Sequence, residues 1–288
     1  MQLSKNVLGQ IAVQPGLEIP AEKLLELPEK VLQFGTGVLL RGLPDYFIDK
    51  ANKQGIFNGR VVIVKSTDSD SSAFDKQDGL YTICVRGVEN GKTIEENIIN
   101  ASVSRVLSAT IEWKRILECA HNLEMKIILS NTTEVGIQLT DDNIKDEPPV
   151  SFPGKLLAFL LERFKAFNGS TESGMVIVPT ELITDNGSKL ESIVLELAHL
   201  NNLDFKFIEW LETHNTFCNS LVDRIVPGKP NATELKKTED SLGYTDELLT
   251  NSEVFRLWAI EGNEKTKEVL SFYKADDAVV ITPDITLF

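Results

Sequence analysis

Between Gln33 and Gly42 the chain reads Gln33-Phe34-Gly35-Thr36-Gly37-Val38-Leu39-Leu40-Arg41-Gly42. Two glycines one residue apart, after an apolar run and before a helical pattern, suit the chemistry of holding a pyrophosphate. The first permits a tight turn. The second lets the backbone approach the charged oxygens, which then face N–H groups at a helix N-terminus. Arg41 would add a cation near those phosphates. The third glycine of G-x-G-x-x-G is replaced by Leu40, so an ordinary strand-to-helix turn sharpened by glycines is the other reading of the same residues. A dinucleotide site also needs an acidic residue for the ribose, roughly 20 residues further on. Here the first carboxylate beyond the second strand is Asp68, 33 residues after Gly35, an interval that fits the longer helix and loop from Asp45 to Gly59. Lys65 and Ser66 would equally suit a 2′-phosphate, which leaves NAD and NADP both open.

The elements that must position this turn alternate. Val31 to Phe34 reads as a strand, and Leu43, Phe47, Ile48 and Ala51 place a stripe on one face of the helix that follows. Val61 to Val64 is uniformly apolar, as in a strand buried on both faces of a parallel sheet. Trp113, Ile116, Leu117 and Ala120 mark another helix, and Ile127 to Leu129 a further strand. Leu157, Leu160, Leu161 and Phe164 repeat the helical spacing, Met175 to Val178 the strand, and Leu190, Ile193, Leu197 and Leu200 the helix. This alternation implies βαβ units and an α/β, doubly wound, mostly parallel sheet. Asp78 to Gly87 followed by Glu89 to Lys92 reads as an inserted hairpin turning at Asn90-Gly91. Residues 1–30, with Pro15, Gly16, Pro20 and Pro28 around one short helical stretch, read as a lead-in arm, and 31–288 as one domain with extra strands and helices after about residue 150. Pro227 to Glu239 is expected to be a surface excursion, with Val254 to Ile260 and Val279 to Ile281 as further strands. The apolar ending at Asp284 to Phe288, just after a strand, is expected to be an interruption.

Composition narrows the function classes. The 288 residues carry 29 basic and 43 acidic side chains, a formal net charge of −14. With a pI near 4.8, the body repels phosphate polyanions, which argues against nucleic-acid or anionic-membrane partners. Apolar runs such as Leu156 to Leu161 fall far short of the ~20 residues that span a bilayer, and no signal peptide is seen. Cys84, Cys119 and Cys218 are widely spaced with no CxxC pair, which fits reduced thiols in a cytoplasmic protein. No His/Cys/Asp cluster has metal-ligand spacing, so no metal is expected.

Several blocks together resemble the polyol-specific long-chain dehydrogenases, the mannitol dehydrogenase family. They are Val31 to Gly37 with Leu40-Arg41, Gln77 to Thr82, Leu129 to Gly136, Pro179 to Ile183 with Asn186-Gly187, and Phe217 to Val226, in family order. The resemblance implies a Rossmann-type domain binding NAD(H) along Val31, Leu32, Gln33, Phe34, Gly35, Thr36, Gly37, Val38, Leu39, Leu40, Arg41 and Gly42, with Asp68 on the ribose. It implies that Asn131, Thr132 and Glu134 close over the cofactor. Asp223, with Asn186 and Glu181 near it, would face a small sugar-acid substrate. Within the family the likeness is greatest to the branch that reduces D-tagaturonate to D-altronate in hexuronate breakdown. Fructuronate, mannitol, or a non-catalytic nucleotide-binding module are the alternatives. Taken apart from the family, Asp223-Arg224 also reads as a structural ion pair and Asn186-Gly187 as a simple turn.

One departure bears on activity. The family's hydride transfer is assisted by a lysine in a K-x4-N-x2-H motif on a following helical domain; the lysine protonates the developing alkoxide and Asn and His polarise the carbonyl. Here Lys92 with Asn97 and Lys126 with Asn131 have the first spacing, but Asn100 and Glu134 stand where histidine is required. His121 and His199 read as helix-surface residues. The expectation is therefore a cofactor half, without the family's C-terminal helical domain, that turns over little alone and self-associates through an exposed docking face.

Overall fold

The computed structural model describes every residue except Asp68, Ser69, Thr133, Glu134 and Val135, so the expectations for Asp68 and Glu134 lie outside the described residues. In chain order the elements begin with β1 (Leu17–Glu18), β2 (Glu29–Phe34), α1 (Val38–Gly42), α2 (Pro44–Lys53), β3 (Arg60–Lys65) and α3 (Ser72–Lys76). Next come β4 (Tyr81–Glu89), β5 (Lys92–Asn100), β6 (Val103–Ser108), α4 (Ala109–Cys119), β7 (Ile127–Ser130), α5 (Phe152–Ala166), β8 (Val176–Pro179) and α6 (Asn186–Leu200). The last third holds α7 (Phe205–His214), β9 (Thr216–Phe217), β10 (Ser220–Asp223), α8 (Ala232–Leu242), β11 (Thr250–Glu253), β12 (Leu257–Glu261), α9 (Glu264–Val269) and β13 (Val279–Thr282).

The central sheet has six strands in the order β6-β3-β2-β7-β8-β9, and every pairing in it is parallel. From β2 the chain winds outward through β3 and β6, then returns to the other side of β2 with β7. The order reverses there, so a crevice opens outside the carboxyl ends of β2 and β7, where such sheets bind ligands. Phe34 lies level with Ser130 across that junction.

Both faces of the sheet are covered, which is why the middles of its central strands β2, β3, β7 and β8 are largely apolar. Leu32, Val62, Val64, Ile128 and Ile177 pack against Trp113, Ile116, Leu156, Leu160, Leu190 and Phe207 of α4 to α7. Val31, Val61, Ile63, Ile127 and Val178 point the other way, toward Phe47 and Ile48 of α2, Trp258 of β12 and Phe272. The expected α6 stripe holds at Leu190, Ile193 and Leu197, but Leu200 is exposed.

The hairpin is β4 and β5, antiparallel from Tyr81↔Asn100 to Glu89↔Lys92. Asn90 and Gly91 take positive φ of 52° and 75° between them, the left-handed pair that a two-residue hairpin turn requires. With β1 and β11 the hairpin forms a second sheet, and β10, β12 and β13 form a third.

Three expectations are corrected, and one gains detail. Residues 1–30 do not stand off as an arm: Leu3, Leu8 and Ile11 are buried with Leu80, Ile99 and Tyr244, and β1 adds a parallel strand to β5. The helix after the glycine turn is broken at Leu43 (φ −129°, ψ −76°), because Pro44 has no N–H with which to continue it. Pro227 to Glu239 lies largely exposed, and within it Asn231 caps the amides of Thr233 and Glu234 and starts α8. Val254 to Ile260 is not one strand; Arg256 leaves the sheet to pair with Asp276 at 2.9 Å, separating β11 from β12.

Candidate functional site

The glycine turn sits at the reversal point of the sheet. Gly35 has φ +125°, and a Cβ there would come within 2.9 Å of Leu40 Cδ1 and 3.1 Å of the Asn131 carbonyl oxygen. Only glycine fits this position. Gly37 differs: it is the residue before α1, with ordinary φ −60°, and nothing lies within 4 Å of where its Cβ would be. Its bare side looks onto open space, the cradle a bound pyrophosphate needs. Because α1 is only five residues long before the break, backbone amides of the turn, rather than a long helix dipole, supply the attraction for an anion.

Leu40 occupies the place of the third glycine and is fully buried over Gly35. The close helix approach passes to Gly42, where a Cβ would stand 2.8 Å from both Val226 methyl groups. Val31, Leu32 and Phe34 are core residues of β2, so they shape the site from beneath without lining it. Gln33 is likewise buried, its amide near the Gly35 carbonyl and Asp45. Thr36 and Leu39 are half-buried on the turn, and Val38 lies against Gly228. Arg41 is not free to meet phosphate as expected: its guanidinium donates to the Leu248 carbonyl at 2.5 Å and lies over the rings of Tyr81 and Phe74.

At the neighbouring strand ends a carboxylate ties two loops together. Glu181 accepts from the Thr132 amide at 2.8 Å, the Thr132 hydroxyl at 2.9 Å and the Ser130 hydroxyl at 3.1 Å. It is 3 % exposed, and burial pushes its carboxyl above the usual glutamate range while these bonds pull against it. Asn131 donates its side-chain amide to the Thr180 carbonyl and its backbone N–H to the Phe34 carbonyl, which brings the 130–132 segment against the glycine turn. The structure therefore brings Gly35, Asn131, Thr132 and Glu181 together.

Glu181 also borders an open cleft of about 400 Å³, bounded by Leu182, Asp185, Ser220, Ile285 and Phe288. Asn186, expected to face a substrate beside it, does not. Its Nδ2 contacts the carbonyls of Pro179, Glu181 and Ser220, and its Oδ1 accepts from the Gly187 and Ser220 amides. An asparagine has no further capacity, so this one is a buried staple of the β8–α6 loop. Asp223 is exposed at the end of β10 and is not among the residues lining the cleft. Nor does it pair with Arg224, which instead donates to the carbonyls of Gly42 and Glu253 and stacks 4.5 Å over Tyr46.

Two buried residues of the site, Asp45 and Tyr81, escape a reading from sequence. Asp45 lies two positions from both Leu43 and Phe47 of the α2 stripe, and that pattern does not mark it. Of the histidines, His121 pairs with Glu162 on the surface and His199 is exposed on α6. Among the described residues no three His, Cys, Asp or Glu side chains cluster as metal ligands, and no helix is long and apolar enough to cross a membrane. The three cysteines are free and buried.

Residues 29–272 match the family model of the mannitol dehydrogenase Rossmann domain. The chain belongs to the mannitol dehydrogenase family. Similar family members include the altronate oxidoreductase of Bacillus subtilis, 42 % identical over 263 residues, covering 91 % of this chain and 55 % of that one. Another, from Halalkalibacterium halodurans, is 41 % identical over 256 residues, covering 88 % and 50 %. The chain thus spans about half the length of these curated relatives. Among solved structures, Pseudomonas fluorescens mannitol 2-dehydrogenase, in ternary complex with NAD and D-mannitol, superposes with a TM-score of 0.82 at 22 % identity over 99 % of this chain and 59 % of that one. Substrate-free D-sorbitol dehydrogenase gives 0.81 at 20 % identity, covering 99 % and 60 %. At such identities these two establish the shared family fold.

Proposed function

We propose that this chain is the NAD(H)-binding part of an oxidoreductase that reduces D-tagaturonate to D-altronate. The observation that carries the cofactor reading is the open side of Gly37 at the reversal point of the parallel sheet, beside a Gly35 that admits no side chain. Likeness to altronate oxidoreductases at about 40 % identity supports the substrate class. NAD(H), when bound, supplies the hydride. The chain's own part is to hold it. Backbone amides around Gly35 and Gly37 take the pyrophosphate, Asp68 takes the ribose, Asn131 and Thr132 bound the cofactor from the β7 side, and Glu134 is assigned to the cofactor with them.

Glu181 holds the β7 end in place through Ser130 and Thr132 and borders the cleft in which a small sugar acid would lie. Asp223, exposed at the end of β10, does not line that cleft, and no substrate contact is assigned to it. The proton for the developing alkoxide requires an acid of suitable pKa within hydrogen-bond reach. No lysine here stands in the K-x4-N-x2-H spacing, so this chain by itself turns over little.

Calorimetric titration with NADH and with NADPH tests the cofactor reading. Saturable NADH binding that clearly exceeds NADPH binding is expected. Preference for NADPH would transfer the ribose contact from Asp68 to Lys65 and Ser66. NADH oxidation followed at 340 nm with tagaturonate, fructuronate and mannitol tests the rest, and substantial turnover by the 288-residue chain would overturn the claim that it is inactive alone.

A further inference from the structure

Beneath the glycine turn lies a buried polar cluster centred on Asp45, in the first turn of α2. Its Oδ2 is 3.4 Å from Gln33 Nε2 and 3.3 Å from the Tyr81 hydroxyl. Each of these partners also touches the turn. Gln33 Nε2 lies 3.4 Å from the Gly35 carbonyl oxygen, and the Tyr81 hydroxyl 3.2 Å from that of Arg41. Gly35 and Arg41 flank the turn on either side, so one carboxyl links both flanks through two intermediaries. All three side chains are fully buried.

Counting hydrogens shows what the cluster requires. Tyr81 has one hydroxyl proton and faces two acceptors, Asp45 Oδ2 and the Arg41 carbonyl. Asp45 Oδ1 and Gln33 Oε1 are both buried with no partner. With Asp45 ionised, the carboxylate competes with the Arg41 carbonyl for that single proton. With Asp45 neutral, its own O–H becomes a donor and Tyr81 is released to hold Arg41. The surrounding charges are few. Arg41 on α1 favours the ionised form, and Asp49 on α2, itself paired with Lys53 at 2.7 Å, opposes it. From β2 and β4 come only Gln33 and Tyr81, and from β5 the neutral Asn100, which donates to the Asp45 backbone carbonyl at 3.0 Å. Burial outweighs these partners and raises the Asp45 carboxyl to about 7.

We propose that Asp45 is a positioning residue for the dinucleotide turn, whose neutral carboxyl holds the turn in shape through Gln33 and Tyr81 and whose ionisation loosens it. This rests on the cofactor reading above. Asp45 touches no cofactor or substrate atom itself; it acts through the aim of the turn's amides.

The test is a titration of the 288-residue chain with NADH at pH 6.5 and pH 8, for the native protein, Asp45→Asn and Tyr81→Phe. Hydrogen exchange of residues 33–42 without ligand is read alongside, and melting curves confirm folding. Native affinity is expected to fall about threefold to tenfold from pH 6.5 to 8, the worth of one hydrogen bond. Asp45→Asn, whose amide donates without titrating, should keep the pH 6.5 affinity at both values. Tyr81→Phe should bind several-fold more weakly and exchange faster over 33–42. Saturable NADH binding that is flat with pH, and equal in Tyr81→Phe, overturns the positioning role and leaves the cofactor reading intact. Absence of NADH binding by the native chain overturns the cofactor reading instead. Exchange then decides the positioning role alone: faster exchange in Tyr81→Phe supports it and unchanged exchange sinks it.

Discussion

A Cβ on Gly35 would stand 3.1 Å from the carbonyl oxygen of Asn131, so the turn after β2 and the end of β7 meet with no room for a side chain. Gly37, two residues on, has empty space on the same test and an unstrained φ of −60°. The two glycines should therefore respond oppositely to alanine. Gly35→Ala carries both steric strain and a positive φ, and should lose roughly 1–3 kcal/mol of stability. Gly37→Ala should melt within a degree or two of the native chain while NADH affinity drops at least about tenfold, because the methyl occupies the cradle. Thermal melts with calorimetry on both variants check this. Unimpaired NADH binding by a folded Gly37→Ala would remove the turn from the cofactor site.

Glu181 gathers three donors from Ser130 and Thr132. Glu181→Gln keeps an acceptor for Thr132, and the Ser130 hydroxyl can rotate to accept from the new amide, so this variant should stay close to native stability. Glu181→Ala removes the acceptor that the Ser130 hydroxyl and the Thr132 amide and hydroxyl share, a loss of about 1–3 kcal/mol. Chemical denaturation separates the two. Equal stability of the alanine and glutamine variants would mean that the carboxyl does not clamp the β7 end.

The parts of this architecture that sequence makes legible are those set by local pattern. Val61 to Val64 announces a strand buried on both faces, Asn90-Gly91 a tight hairpin, and Gly35-x-Gly37 a sharp turn at a strand end. What it hides depends on partners far along the chain. Asn186 looks like a surface turn residue until Ser220, 34 positions later, supplies both a donor and an acceptor for it. Asp45 looks like a solvated helix-start carboxylate until Tyr81 of the hairpin is laid over it. The break at Leu43-Pro44 was readable from Pro44 alone, but the apolar spacing across it is continuous and masks it. The family blocks set Glu181 and Asn186 together facing a substrate; Glu181 borders the cleft, while the five buried contacts of Asn186 staple the β8–α6 loop.

The exposed apolar side chains around the cleft have a consequence in solution. Leu182 is 70 % exposed, Leu287 77 % and Phe288 55 %. Exposed large apolar side chains grouped at a cleft promote association. Concentration-dependent self-association is expected by light scattering, weakened by Leu287→Asp with Phe288→Ser. A strictly monomeric mass at high concentration would rule it out.

The Asp45 carboxyl also makes stability depend on pH, with a sign that follows from its raised value. Its ordinary pKa of 3.8 applies in the unfolded chain, and burial lifts it to about 7 in the folded one. Between those values the folded state keeps a proton that the unfolded state has released. The contribution is therefore fully present below the unfolded value and is lost progressively as pH rises to about 7, at roughly 1.4 kcal/mol per unit of difference. Asp45→Asn removes the titration and the buried charge together. Its melting temperature relative to the native chain should rise from pH 5 toward about pH 7 and level off above it. A gap that is constant across that range would mean that Asp45 ionises no differently in the folded and unfolded states, and that its buried position is neutralised by some other donor.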